Sequence, residues 1–206
     1  MTPDEPTEAQ RLPAGHHGIP AELVARNQRE RLIAAMAEAC AEEGYAEVAV
    51  ADVVARARVS TATFYKHFAS KQDCLLAAYS ELFKRLLEEI NVACAAASAG
   101  EEQVRSAIET CLELFAADPP TARLLTVEIL AAGPVGSELY GKTVEDLARR
   151  LRGDRDAGDD QSVADAEWAV VASLMALAAR RVMADEAESL PELGDELTRI
   201  ALRLRH

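Results

Sequence analysis

Ser60-Thr61-Ala62-Thr63-Phe64-Tyr65-Lys66-His67-Phe68 is the stretch that decides the fold. A serine at its head is suited to cap a first helical turn, where backbone N–H groups lack partners. Phe64 and Phe68 stand four residues apart, so on a helix they share one face and bury together. Thr61, Ala62, Thr63, Tyr65, Lys66 and His67 are left for the opposite side. Small residues at the start let such a helix approach the floor of a DNA major groove. A threonine there hydrogen-bonds bases or phosphates, and its methyl meets thymine. Tyr65, Lys66, His67 and Lys71 bring a phenol, two ammonium groups and an imidazole. Groups of that kind suit phosphate, and they fix register more than they read sequence.

Working upstream, Val50–Ala57 places Val53 and Val54 on an inner face, and a break follows at Arg58-Val59. A longer helix precedes it. Asn27 and Glu30 have the spacing of a capping box. Leu32, Ile33, Met36, Ala37 and Cys40 then form one apolar stripe, Gly44 supplies a left-handed stop, and Tyr45 packs back. Two short helices joined by a tight turn and supported by a longer one describe a helix-turn-helix. Downstream, Ser70 and Asp73 form a second capping box. It opens a long helix through Leu75, Leu76, Tyr79, Leu82, Phe83, Leu86 and Leu87. The spacing predicts further helices over 101–117, 120–131, 135–152, 162–184 and 190–205.

Composition agrees with an all-α fold. Of 206 residues 50% are hydrophobic but only 4% aromatic, and alanine, which loses no side-chain entropy in a helix, is abundant. Residues 1–20 carry Pro3, Pro6, Pro13, Pro20, Gly15 and Gly18 without an apolar period and read as a flexible arm, in which Arg11, His16 and His17 are solvated. A helix-turn-helix DNA-binding domain is expected over 21–71, and a second helical domain over 72–206. The aspartates of 153–160 lack the glycine and glutamate positions of a calcium loop. Cys40, Cys74, Cys94 and Cys111 show no paired spacing, and no signal peptide precedes them. They read as apolar filler, with a cytoplasmic location and no disulfides expected. No run reaches the ~20 apolar residues of a membrane span.

A net charge of −13 argues against nucleic acid as a partner, but the charge is unevenly spread. Residues 52–71 hold four cations and one anion, whereas 72–206 hold 14 Lys/Arg against 25 Asp/Glu. A local basic face on an acidic body remains able to bind DNA.

Residues 29–76 resemble the DNA-binding domain of TetR/AcrR-family regulators. The motif is Val-Ser-x-x-x-aromatic/Leu-Tyr-x-His-Phe-x-Ser/Thr-Lys-x-x-Leu, carried here by Val59, Ser60, Phe64, Tyr65, His67, Phe68, Ser70 and Lys71. The resemblance implies phosphate contacts from Tyr65, His67 and Lys71, and base contacts from Thr61 to Thr63. Two positions depart from the pattern. Arg58 stands where the family commonly has a turn glycine, and Ala49 where it favours a Ser/Thr cap. The DNA-contacting set is thus Ser60, Thr61, Ala62, Thr63, Tyr65, Lys66, His67 and Lys71.

The same resemblance implies a homodimer whose last two helices pair with their symmetry mates, presenting two recognition helices to a palindromic operator. Val163, Val170, Val171, Leu174, Leu177, Leu193, Leu197, Ile200 and Leu204 form the candidate stripes. By analogy the middle helices enclose a pocket for a small, largely apolar ligand. Its candidate lining is Cys94, Cys111, Phe115, Glu128, Tyr140, Trp168 and Met175, and Glu128 could pair with a cationic ligand. The long helix from Ser70 is the expected mechanical link between pocket and DNA. No catalytic, metal or cofactor motif is present, so no enzyme is expected. The competing reading is a helical ligand-binding or interaction module that does not bind DNA.

Overall fold

The computed structural model describes residues 20–152 and 161–203, and within them every regular element is helical. The expected arm with Arg11, His16 and His17, the aspartate-rich 153–160 segment and Leu204 lie outside the described residues, as does the side chain of Val163. In chain order the elements are α1 (Ala21–Glu43), α2 (Val50–Ala57), α3 (Thr61–His67), α4 (Lys71–Ala96), α5 (Glu101–Ala117) and α6 (Pro119–Thr126). A 3-10 turn (Glu128–Ala132) follows, then α7 (Pro134–Arg152), α8 (Gln161–Met183), a second 3-10 turn (Ala187–Leu193) and α9 (Gly194–Arg203).

The first helix departs from expectation. It starts after Pro20, so Asn27 and Glu30 are exposed interior positions and form no capping box. Pro20 needs no N–H partner, and Ala21 and Glu22 suit a first turn, so the helix nucleates earlier than its apolar stripe begins. At the other end Gly44 takes φ 79° with an extended ψ of 142°, its N–H bonded to Cys40 O, and Tyr45 is buried as anticipated. Ser70 caps α4 by accepting from Asp73 N at 3.0 Å. Asp73 reaches one residue beyond the expected box, to Ala69 N at 2.8 Å.

Two predicted helices are broken. The 120–131 helix stops at Thr126, and the chain turns at Val127 (φ −123°, ψ −61°) into the first 3-10 turn. The break lets α7 press on that turn: a Cβ at Gly136 would lie 2.0 Å from Ile129 O. The 190–205 helix is likewise split, since Pro191 falls inside the second 3-10 turn and has no N–H to give an α-helical ladder. One apolar core runs without interruption from Leu32 and Phe64 through Tyr79 and Leu112 to Ala201.

Candidate nucleic-acid interface

Three helices build the N-terminal site. Phe64 is fully buried and Phe68 nearly so, with ring centroids 5.7 Å apart. The guanidinium of Arg29 lies 5.5 Å from the Phe68 ring centre, closing that side against α1. Ser60 caps α3, its Oγ accepting from Thr63 N at 3.0 Å. The same oxygen lies 2.9 Å from Thr63 Oγ1, so both hydroxyls are engaged within the chain.

The turn is made without glycine. Arg58 adopts φ 51° and ψ 48°, and the N–H groups of Arg58 and Val59 bond to Ala55 O and Val54 O in a Schellman arrangement. Arg31 of α1 clamps it, donating to the carbonyls of Ala57 and Arg58, the latter at 3.0 Å. The missing hydroxyl at Ala49 is half compensated, because Asp52 Oδ2 accepts from Ala49 N at 2.8 Å. Arg31 was not legible as a turn clamp, since its partners lie 26 and 27 residues away.

Among the DNA-contact candidates, Thr61, Ala62, Tyr65 and Lys66 face outward, with Tyr65 57% exposed. Thr63 and His67 are half-buried, and His67 Nε2 lies 3.4 Å from Gln28 Oε1. Lys71 corrects the expectation of a phosphate-facing ammonium. Its Nζ donates to the carbonyls of Tyr45 (2.9 Å), Ala46 (3.3 Å) and Val48 (2.7 Å) and sits 4.4 Å from the Tyr45 ring centre. An ammonium has three donors, and three carbonyls of the α1–α2 connection take them. Arg56 is likewise held by Glu42 at 2.7 Å and Glu43 at 2.9 Å. Of the four cations in residues 52–71, Arg58 and Lys66 remain to face a partner.

Glu128 is a second correction. It is buried at 5% exposure, where a carboxylate requires partners, and it lies in a seam instead of a pocket. Its Oε2 accepts from Tyr45 N at 2.7 Å and its Oε1 from Arg123 Nε at 2.8 Å, so it ties the first 3-10 turn to the helix-turn-helix. The turn's other end is tied too, by Gln72 Nε2 donating to Ala132 O at 2.9 Å. Cys40 lies beside this cluster, and burial, then the Glu128 charge, push its thiol up to about 12. Burial likewise moves Cys74 and Cys111 to about 12, which leaves inert thiols.

Cavities open along the α4–α5 pair. One, of about 30 Å³, is lined by Ile90, Cys111, Leu147, Arg150, Val170 and Leu174 among others. Another, about 170 Å³, lies between Leu82, Arg85, Leu86, Glu89, Phe115 and Asp118. Of the ligand candidates, Cys111 and Phe115 line a cavity. Cys94 and Tyr140 are half-buried outside these linings, and Met175 is core. Trp168 is corrected: at 46% exposure it stands on the outer face of α8.

The dimerisation stripe is corrected in part. Val170, Leu174 and Leu197 are buried in their own chain because they point into the core, and Val170 and Leu174 also line a cavity. Leu177 and Leu193 are half-buried and Ile200 is exposed. The exposed residues of α8 include instead Trp168, Ala169, Ser173, Ala176, Arg180 and Met183.

Residues 32–78 match the sequence profile of bacterial regulatory proteins of the tetR family. An uncharacterized HTH-type transcriptional regulator of Mycobacterium tuberculosis is 34% identical over 93 residues, 42% of this chain and 42% of that relative. The chain thus matches less than half the length of that protein. The HTH-type transcriptional regulator EthR of Mycolicibacterium smegmatis is 29% identical over 176 residues, covering 82% of this chain and 80% of EthR. In three dimensions the fatty acid degradation regulator FadR of Bacillus halodurans superposes with a TM-score of 0.75 at 19% identity, over 85% of this chain and 94% of that one. FadR of Bacillus subtilis, solved in complex with stearoyl-CoA, gives 0.66 at 18% identity, over 86% and 99%. The match to the tetR family thus covers the helix-turn-helix region, residues 32–78, and the solved structures show that the chain shares the fold of these regulators.

Proposed function

We propose that this protein is a sequence-specific DNA-binding regulator, a repressor released from a palindromic operator by a small apolar ligand. The observation that carries the reading is the two-sidedness of α3. Phe64 and Phe68 hold it inward, while Thr61, Ala62, Tyr65 and Lys66 stand free on the outer side. Thr61 and Ala62 meet base edges, and Tyr65 and Lys66 meet phosphate, with Arg58 at the preceding turn adding a cation. Ser60, Thr63 and His67 shape this face, and Lys71 holds the α1–α2 connection behind it. The domain division at residue 71 goes with the same proposal.

A palindrome requires two recognition helices about 34–36 Å apart, hence a symmetric dimer. Trp168, Ala176 and Met183 of α8 with Ile200 of α9 supply an exposed apolar surface for the second copy. Among the described residues no helix is long and apolar enough to cross a membrane, in keeping with a regulator acting on DNA in the cytoplasm. Release follows if a ligand prefers one orientation of the helix-turn-helix over the other. α4 is one link between pocket and DNA. The 3-10 turn is a second, tied to the helix-turn-helix through Tyr45 N and Gln72 and pressed from behind by Gly136 of α7.

The test is a gel shift with the purified chain and the DNA upstream of its own coding sequence, across a salt series, with Tyr65→Ala and Lys66→Ala alongside. Specific retardation that both variants weaken supports the reading. If neither that DNA nor a library of palindromes is retarded, the chain is an interaction module instead.

A further inference from the structure

We propose that Lys66, on the outer face of the recognition helix, is an acylation site for small acyl phosphates, and that its modification releases the protein from DNA. The release rests on the DNA-binding reading above, whereas the site itself does not. The chain has four lysines, Lys66, Lys71, Lys84 and Lys142, and the fold engages three of them. Lys71 is half-buried and gives its N–H donors to the carbonyls of Tyr45, Ala46 and Val48. Lys84 lies 3.7 Å from Glu88, and Lys142 lies 2.7 Å from Glu138. The hydrogen bond to Glu138 holds the Lys142 ammonium above its ordinary value, which depletes the unprotonated amine that attacks a carbonyl. Lys66 is exposed, and among the described residues no carboxylate pairs with it. A lysine with neither a carbonyl cage nor an ion pair keeps its nitrogen available for acyl transfer.

The surroundings decide which donor comes to it. Between Val53 and Gln72 there is no Asp or Glu, whereas Lys84 stands among Glu81, Glu88 and Glu89, and Lys142 between Glu138 and Glu145. An acyl phosphate is an anion. The acidic stretches repel it, and the segment carrying Arg58 and Lys66 attracts it. The chemistry that suits this face to a DNA phosphate suits it equally to the phosphate of the donor.

In the reaction the unprotonated Nζ attacks the carbonyl carbon of the donor. An N–C bond forms, the C–O bond to phosphate breaks, and its electron pair leaves with the phosphate. The nitrogen's surplus proton passes to the departing phosphate. An ammonium thus becomes a neutral amide, which neither pairs with a DNA phosphate nor displaces its counterions. Arg58 is then the remaining unengaged cation of residues 52–71, on a chain of net charge −13.

The test treats the full chain with acetyl phosphate and follows each lysine by peptide mass spectrometry, beside a neutral donor, the N-hydroxysuccinimide ester of acetic acid. With acetyl phosphate, Lys66 is expected to react about fivefold faster than Lys84, the effect of one charge contact in water, with Lys142 slower again and Lys71 slowest. The neutral ester should narrow the lead of Lys66 over Lys84, and so should high salt. Treated protein should bind the upstream DNA about tenfold more weakly and with a shallower salt dependence, and a Lys84→Arg, Lys142→Arg double variant should lose as much. Lys66→Arg should show the same affinity before and after treatment, and a matching melting temperature establishes that this exposed substitution folds. Bound DNA should shield Lys66 and leave Lys84 reactive. The proposal is overturned if acetyl phosphate modifies Lys66 no faster than Lys84, if the neutral ester gives Lys66 the same lead, or if Lys66→Arg loses affinity on treatment as the unaltered chain does. If Lys66 leads but the untreated chain retards no DNA, the DNA-binding reading falls and the acylation site stands.

Discussion

The recognition helix and the seam beneath it use similar residues in opposite ways. On α3 the polar side chains Thr61, Tyr65 and Lys66 are exposed, while two aromatic rings do the anchoring. In the seam, Lys71, Glu128, Arg123 and Gln72 are consumed by backbone and side-chain partners within the chain. A lysine or glutamate in a sequence therefore says little about partners until its donors and acceptors are accounted for. The free groups are those the fold leaves to a ligand, and the engaged ones are those it needs for itself.

The largest effect that separates the two regions is expected from Phe64→Ala. Removing a ring at 0% exposure leaves a cavity, and urea unfolding should show a loss of about 3–5 kcal/mol, with DNA binding lost as a consequence. Glu128→Ala comes next. It strands a buried N–H at Tyr45 and a partly exposed guanidinium at Arg123, so about 2–3 kcal/mol should be lost. Glu128→Gln, which keeps an acceptor for Tyr45 N, should recover much of that. If both substitutions are silent in unfolding, the seam is not structural as described.

Substitutions on the outer face of α3 should behave in the opposite sense. Thr61→Ala, Tyr65→Ala and Lys66→Ala are expected to leave stability within about 0.5 kcal/mol while weakening DNA binding by about 1–3 kcal/mol each. A fall in melting temperature that parallels the fall in affinity would erase the distinction between the regions. Smaller still is Arg58→Gly, which relieves a left-handed residue and should stabilise by about 1 kcal/mol or less.

The buried thiols give a pH test of the same seam. Cys40 and Cys74 have folded-state values raised to about 12 from an ordinary 9, so the folded state holds their protons where the unfolded state releases them. Stability is therefore full below pH 9 and falls between about pH 9 and 12. A Cys40→Ser, Cys74→Ser double variant should flatten that slope in denaturant titrations. At pH 8 a thiol reagent should reach half-buried Cys94 before the other three.

Much of the helix-turn-helix was legible because its determinants are local. Ser60 caps, Phe64 and Phe68 share a face, and the bounds of α2 and α5 follow from spacing alone. Misreadings arose where distant groups outbid a local signal. Asn27 and Glu30 have capping-box spacing, yet Pro20 starts the helix earlier. Val127 breaks a sound periodicity where α7 and Glu128 meet the 3-10 turn. Val170 and Leu174 form an apolar stripe, but periodicity states only that a face is buried and not whether its own chain or a second copy buries it.

The amino-acid order by itself determined an all-α chain with a capped, aromatic-anchored recognition helix, because capping and i, i+4 pairing act within a few residues. Only the tertiary structure decided which charged groups remain free. Lys71, Arg56 and Glu128 each find at least one partner between 13 and 83 residues away, and no local pattern encodes such meetings. They follow from the packing of α1, α4 and α6 into one core, which brings far-separated polar groups within hydrogen-bonding reach as water is excluded.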